Sequence, residues 1–229
     1  MINALWILSS SCQMMRHICT LSEINSLLID LEHSSYCFSD LTSLIEIIRS
    51  HKKSSCLRLA CLQRETVLHA VELNPDVIMV PAISTKEQVD QAIDYFYIPP
   101  FGTRGFSPYS YTAIHERQQG SVKTTLCLQL ESNEAYNNIN IFNRSDRVSS
   151  VFVGRYDLAK SCGLEINSAA CLDLLIEIAI KLRSFGLKVG TVCLNQKEYV
   201  QLEPYYEFLS LGSDITRMLE SNRPFDFLY

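Results

Sequence analysis

No Cys-x-x-Cys pair occurs in this 229-residue chain, although it carries nine cysteines. The odd count, with several thiols inside apolar runs, argues against a disulfide framework or a zinc site. It fits a cytoplasmic protein that keeps cysteine reduced and uses it as a small hydrophobe. A basic stripe is also missing. Lys and Arg number 20 against 25 Asp and Glu, a net charge of -5, so no nucleic-acid partner is expected. Residues 1–11 are apolar but too short to span a bilayer, and they lack a basic flank and a small-residue cleavage site. They are read as a first strand, and no membrane partner is expected. There is no low-complexity tract and no linker. With 47% hydrophobic and 20% charged residues, the chain is expected to form a single domain, residues 1–229, around one sizeable core. A Gly-rich first turn is absent, which counts against a doubly wound dinucleotide fold. Hairpin signals are absent too, which counts against an antiparallel sheet.

What is present is a regular alternation. Short apolar runs at residues 4–9, 26–30, 56–60, 77–81, 125–130, 148–153, 188–192 and 208–211 read as buried parallel strands. Between them, helical patterns are predicted over 13–21, 39–51, 64–73, 85–95, 168–185 and 196–202. Leu41, Leu44, Ile45 and Ile48 form one apolar stripe, and Gly186 supplies a helix end. Gly212-Ser213-Asp214 opens a short last helix. Eight strands alternating with helices predict an α/β fold, a single (β/α)8 TIM barrel. The irregular stretch 96–123, rich in Pro, Gly and aromatics, is long enough to predict a functional loop.

Two of the runs end in a carboxylate: Leu126-Cys127-Leu128-Gln129-Leu130-Glu131 and Val151-Phe152-Val153-Gly154-Arg155-Tyr156-Asp157. The C-terminal tips of barrel strands are where sites are built, and two acids on neighbouring tips can hold one divalent cation. The alternative is that Glu131 and Asp157 only cap the helices that follow. Asp30, Glu32 and His33 end the second strand, Arg58 lies within the third, and Gln129 shares a strand face with Glu131. A buried guanidinium needs anionic partners, so Arg58 is the hardest of these to explain as structure alone.

At these residues the chain resembles the HpcH/HpaI aldolase family, metal-dependent class II pyruvate aldolases with a phosphoenolpyruvate/pyruvate-type barrel. Asp30-Leu31-Glu32-His33 is similar to the family's Asp-x-Glu-His, and Gln129-Leu130-Glu131 to its Gln-Ile-Glu. Tyr97-Ile98-Pro99-Pro100-Phe101-Gly102-Thr103-Arg104-Gly105 is similar to its Tyr-Pro-Pro-x-Gly-x-Arg-Gly loop. Val77-Ile78-Met79-Val80-Pro81, Val153-Gly154-Arg155-Tyr156-Asp157-Leu158 and Leu211-Gly212-Ser213-Asp214 match further motifs in the same order. The resemblance implies a lyase that cleaves a 4-hydroxy-2-oxo acid, such as a 2-keto-3-deoxy sugar acid, to pyruvate and an aldehyde.

It implies Glu131 and Asp157 as ligands of Mg²⁺, Mn²⁺ or Co²⁺, with Asp30 supporting them. It implies His33 as acid/base with Glu72 as its acidic partner, and Arg58 on the enolate oxygen. Gln129 and the Gly154, Arg155 and Tyr156 corner, with Asp157, would bind the oxo-acid. A homo-oligomer, trimer or hexamer, is the family's assembly. The chain departs from the pattern in several places. Glu72 stands for an Asp, Asn74 for a Gly, and Arg155 and Tyr156 for a Pro and a small residue, which would put a charge and a phenol at the pocket. The last helix is short for the one that the family exchanges between subunits. Two alternatives are a citryl- or malyl-CoA lyase-like enzyme and a degenerate barrel acting as a binding protein. His33 and the lack of a basic cluster for CoA phosphates oppose the first. The joint presence of His33, Arg58, Gln129, Glu131 and Asp157 opposes the second.

Overall fold

A computed structural model describes residues 1–36, 38–110 and 124–221. Eight parallel strands close into a barrel in sequential order, β1 beside β2 and so on round to β8 beside β1. The strands are β1 (Ile2–Ile7), β2 (Ser26–Asp30), β3 (Ser54–Arg58), β4 (Val77–Val80), β5 (Thr125–Leu130), β6 (Ser150–Val153), β7 (Lys188–Val192) and β8 (Phe208–Ser213). The helices among the described residues are α1 (Cys12–Cys19), α2 (Phe38–Ser50), α3 (Arg64–Glu72), α4 (Lys86–Phe96), α5 (Asn133–Asn137), α6 (Arg155–Ser161), α7 (Ala169–Ser184), α8 (Gln196–Leu202) and α9 (Asp214–Ser221).

Alternation along each strand divides the core in two. Leu27, Ile29, Leu57, Ile78, Leu126, Leu128, Val151 and Val189 point outward and pack against the helices. Ala4, Leu28, Cys56, Met79, Cys127, Phe152 and Val192 point inward and fill the barrel. Gly190 leaves room in that interior. A Cβ there would lie 1.9 Å from the Phe208 ring.

Several boundaries move from those expected. β1 runs over Ile2–Ile7 and β3 over Ser54–Arg58, each two residues earlier than the apolar run, because Ile2 pairs with Phe208 on β8 and Ser54 with Ser26 on β2. Arg58 therefore ends its strand rather than sitting in its middle. Thr85 caps α4 as expected, in a reciprocal capping box with Gln88. Gly186, at φ +81°, follows α7. Asn74, where the family pattern has Gly, adopts φ +54°, a left-handed conformation that Asn tolerates.

The described part of the stretch after α4 is tied to α3 and α4, with Arg64 donating to Thr103 Oγ1 at 2.9 Å and Thr103 donating to Asp94 at 2.7 Å. Arg104 donates to Phe96 O, and Phe101 stacks under Arg147, just ahead of β6, at 4.2 Å. Tyr111 and the rest of 111–123 lie outside the described residues.

Candidate active site

The tips of β1, β2, β3, β5, β6, β7 and β8 surround a cavity of about 430 Å³ at the C-terminal mouth. Trp6, Leu8, His33, Arg58, Gln129, Gly154, Tyr156, Asp157 and Thr216 are among its lining. Register explains the first cluster. Asp30 and Arg58 are paired across β2 and β3, so their side chains meet at one level. Arg58 Nε and Nη2 donate to the two carboxylate oxygens of Asp30 at 2.9 and 2.7 Å. Its Nη1 stands 3.0 Å from Glu32 Oε2, and its guanidinium lies 4.5 Å from the centre of the Trp6 ring. Asp30 also accepts from the Glu32 backbone N–H at 3.0 Å, which fixes the turn that carries His33 to the exposed rim. A guanidinium has five N–H donors, so these partners orient Arg58 and leave donors for a ligand.

The second cluster spans β5 and β6. Glu131 Oε1 accepts from the Ala82 N–H at 2.7 Å, and its Oε2 accepts from Gln129 Nε2. Ala82 holds φ +57°, a costly conformation for a residue with a Cβ, in the turn that aims its N–H at the carboxylate. Gly154 is required for the approach of the two strand tips. A Cβ there would lie 2.7 Å from Glu131 Cβ and 2.8 Å from Gln129 Nε2. Burial pushes the Glu131 carboxyl up to about 7; the Ala82 N–H works against this, while Glu32 and Asp157 add repulsion. Gln129 is buried, and its Oε1 has no hydrogen-bond partner. Asp157 stands in the first turn of α6, exposed to the mouth.

Among the described residues, no three His, Cys, Asp or Glu side chains form a ready cage for a metal. The donor set nevertheless suits a hard divalent cation. It comprises two carboxylates, one of them held against its charge by burial and like neighbours, and an amide oxygen without a partner.

The remaining expected residues fall differently. Arg155 is fully buried, and its charge does not face the pocket. Its Nη1 and Nη2 bind the Glu198 carboxylate at 2.6 and 2.9 Å, and Nη2 also donates to Ile166 O at 2.6 Å. Tyr156 is exposed at the rim. The Gly154 N–H is occupied by Leu130 O at 2.8 Å, so it cannot hold a ligand carboxylate. Glu72 ends α3, which runs away from the tips, and it lies 4.0 Å from Arg104. It is not brought to His33 within this chain.

Sequence reasoning missed Trp6, Ala82 and Glu198. Only Trp6 carried a signal, as the single tryptophan of the chain near a strand tip.

A parallel barrel with acids, an arginine and a histidine gathered at its C-terminal mouth has the layout of a barrel enzyme's site. The chain belongs to the HpcH/HpaI aldolase/citrate lyase family, whose model matches residues 3–218. It is 28% identical over 208 residues to the 2-dehydro-3,6-dideoxy-6-sulfogluconate aldolase of Pseudomonas putida, covering 84% of this chain and 79% of that one. It is 27% identical over 194 residues to the 2-keto-3-deoxy-L-rhamnonate aldolase of Escherichia coli K12, covering 81% and 72%. An HpcH/HpaI family protein from Burkholderia cenocepacia shares the fold at a TM-score of 0.86 and 21% identity, over 97% of this chain and 91% of that one. The citrate synthase SbnG shares the fold at a TM-score of 0.85 and 15% identity, over 96% and 89%. The family and its aldolase members make this chain an aldehyde-lyase.

Proposed function

We propose that the chain cleaves a 4-hydroxy-2-oxo acid to pyruvate and an aldehyde, and runs the reverse addition, with a divalent cation held by Glu131 and Asp157. The observation that carries this reading is the Glu131 site. A half-buried carboxylate on the β5 tip has an unpartnered Gln129 oxygen beside it and feels the charges of Asp157 and Arg58. When bound, the cation polarises the ketone of the oxo-acid. The protein's own groups do the rest. His33 takes the proton of the C4 hydroxyl. The C3–C4 bond breaks, its electron pair forms the pyruvate enolate, and the departing half leaves as aldehyde. A proton returned to C3 completes pyruvate. A positioned histidine is worth about 10²–10⁴-fold in such a step. Arg58, fixed by Asp30 and Glu32, directs its remaining N–H groups at the enolate oxygen. With Gly154 N–H occupied, the oxo-acid carboxylate is left to the N–H groups of Arg155 and Tyr156.

The eight described cysteines are all free, which supports a reduced, cytoplasmic setting. No helix among the described residues is long and apolar enough to cross a membrane. Ile215 and Leu219 expose apolar surface on α9, which supports a homo-oligomer, and light scattering would give its size.

The test is exchange of the pyruvate methyl protons with deuterated solvent, followed by NMR with and without Mg²⁺. Mg²⁺-dependent exchange that Glu131→Ala abolishes is the expected result. No exchange by folded protein, across Mg²⁺, Mn²⁺ and Co²⁺, would refute the reading.

A further inference from the structure

The acceptor side of the mouth has a charge pattern that selects its aldehyde. Four carboxylates face or flank the cavity: Asp30, Glu32, Glu131 and Asp157. Among the described residues that line it, two are guanidinium cations, and both are already paired. Arg58 is held by Asp30 and Glu32, and Arg155 is closed off behind Glu198. A divalent ion and Arg58 together still leave the carboxylates in excess, and the oxo-acid adds its own. Among the described residues, the surfaces beyond the reacting centre carry no charge to receive another anion. Trp6 and Phe152 stack edge to face at 5.6 Å, with Val192 and Leu8 beside them. The hydroxyls of Ser213 and Thr216 are engaged with each other and with the backbone N–H groups of Thr216 and Ser213. His33 stands in the proton-transfer role, and Tyr156 adds a phenol hydroxyl at the rim.

We infer that the aldehyde half is uncharged, so that carboxylated or sulfonated acceptors are rejected. This rests on the pyruvate reading above. In the addition direction, the enolate C3 bonds to the aldehyde carbon, the carbonyl π pair moves to oxygen, and that oxygen takes a proton. The product tail then lies against Trp6 and Leu8, where a second anion would face an excess of carboxylates.

Trp6 is the only tryptophan in the chain, so its fluorescence reports the mouth directly. The experiment titrates the Mg²⁺-loaded protein with 2-oxohexanoate and with 2-oxoadipate, stable analogues that differ by a terminal carboxylate. Pyruvate methyl exchange is measured on the same preparation. The expected result is exchange together with at least about tenfold tighter binding of 2-oxohexanoate, since like charges brought together weaken binding. Leu8→Arg, which adds a cation to that wall, is expected to narrow or reverse the ratio. Equal binding of the two by the wild type, or tighter binding of 2-oxoadipate, with exchange intact overturns this inference and leaves the pyruvate reading standing. Absence of exchange overturns both.

Discussion

The buried pair Arg155–Glu198 offers the sharpest quantitative test. Arg155 is 0% exposed, and Glu198 ties it to the start of α8 while accepting the Leu194 N–H at 3.1 Å. Removing the carboxylate leaves a guanidinium buried with the Ile166 carbonyl and the Cys171 sulfur but no anion to partner it, a change that typically costs about 3–5 kcal/mol. For a chain of this length each kcal/mol lowers Tm by about 2–4 °C, so Glu198→Ala should melt roughly 6–20 °C below wild type. The pH dependence gives an independent check. Arg155 holds the Glu198 carboxyl below its usual value. A depressed folded-state pKa contributes stability that is fully present above the unfolded value near 4.5 and is lost as pH falls through the folded value. Glu198→Gln mimics the protonated acid. Its Tm deficit should be largest at neutral pH and shrink as the solution is acidified below that value. Replacing both partners, Arg155→Met with Glu198→Met, should recover most of the loss. Scanning calorimetry across the pH range decides the matter. A deficit under about 1 kcal/mol for Glu198→Ala, or a Glu198→Gln deficit that does not change with pH, would refute the account.

Other substitutions probe the mouth and the barrel interior. Gly154→Ala must displace Glu131 or Gln129, so pyruvate exchange should fall at least about tenfold, while stability changes by no more than about 1–3 kcal/mol. Unchanged exchange in that variant would mean the two strand tips need not approach. Gly190→Ala drives a methyl into the Phe208 ring and should cost about 1–3 kcal/mol by denaturant melts. Asp214→Asn removes one of the two oxygens that hold the Leu8 and Ser9 N–H groups at 3.0 Å. It should cost about 1–3 kcal/mol and speed hydrogen exchange at those two amides.

The barrel was legible because its signal is local. Eight short apolar runs and the helical stripes between them need no knowledge of partners. Strand ends were not, because β3 starts where Ser54 meets Ser26 rather than where the apolar run begins. Asp30, Arg58, Gln129 and Glu131 could be placed at the mouth because a strand tip leaves little choice of direction. Arg155 could not, since its partner Glu198 is 43 residues away and only packing of α6 against α8 reveals it. Glu72 shows a different limit. It stands where the pattern has Asp, and it ends α3 4.0 Å from Arg104, so within this chain it does not stand beside His33.

The two hydrogen bonds from Leu8 and Ser9 to Asp214 join residues about two hundred positions apart, beside the seam where β1 meets β8. On the ribosome, the first strand therefore waits for nearly the whole chain before it gains its second neighbour. Trp6, between Arg58 and Phe152, lies on that same first strand. The mouth is thus completed last, and a nascent chain stalled before β8 could hold several finished βα units without having a usable site. Catalytic competence becomes a report that synthesis has passed the seam.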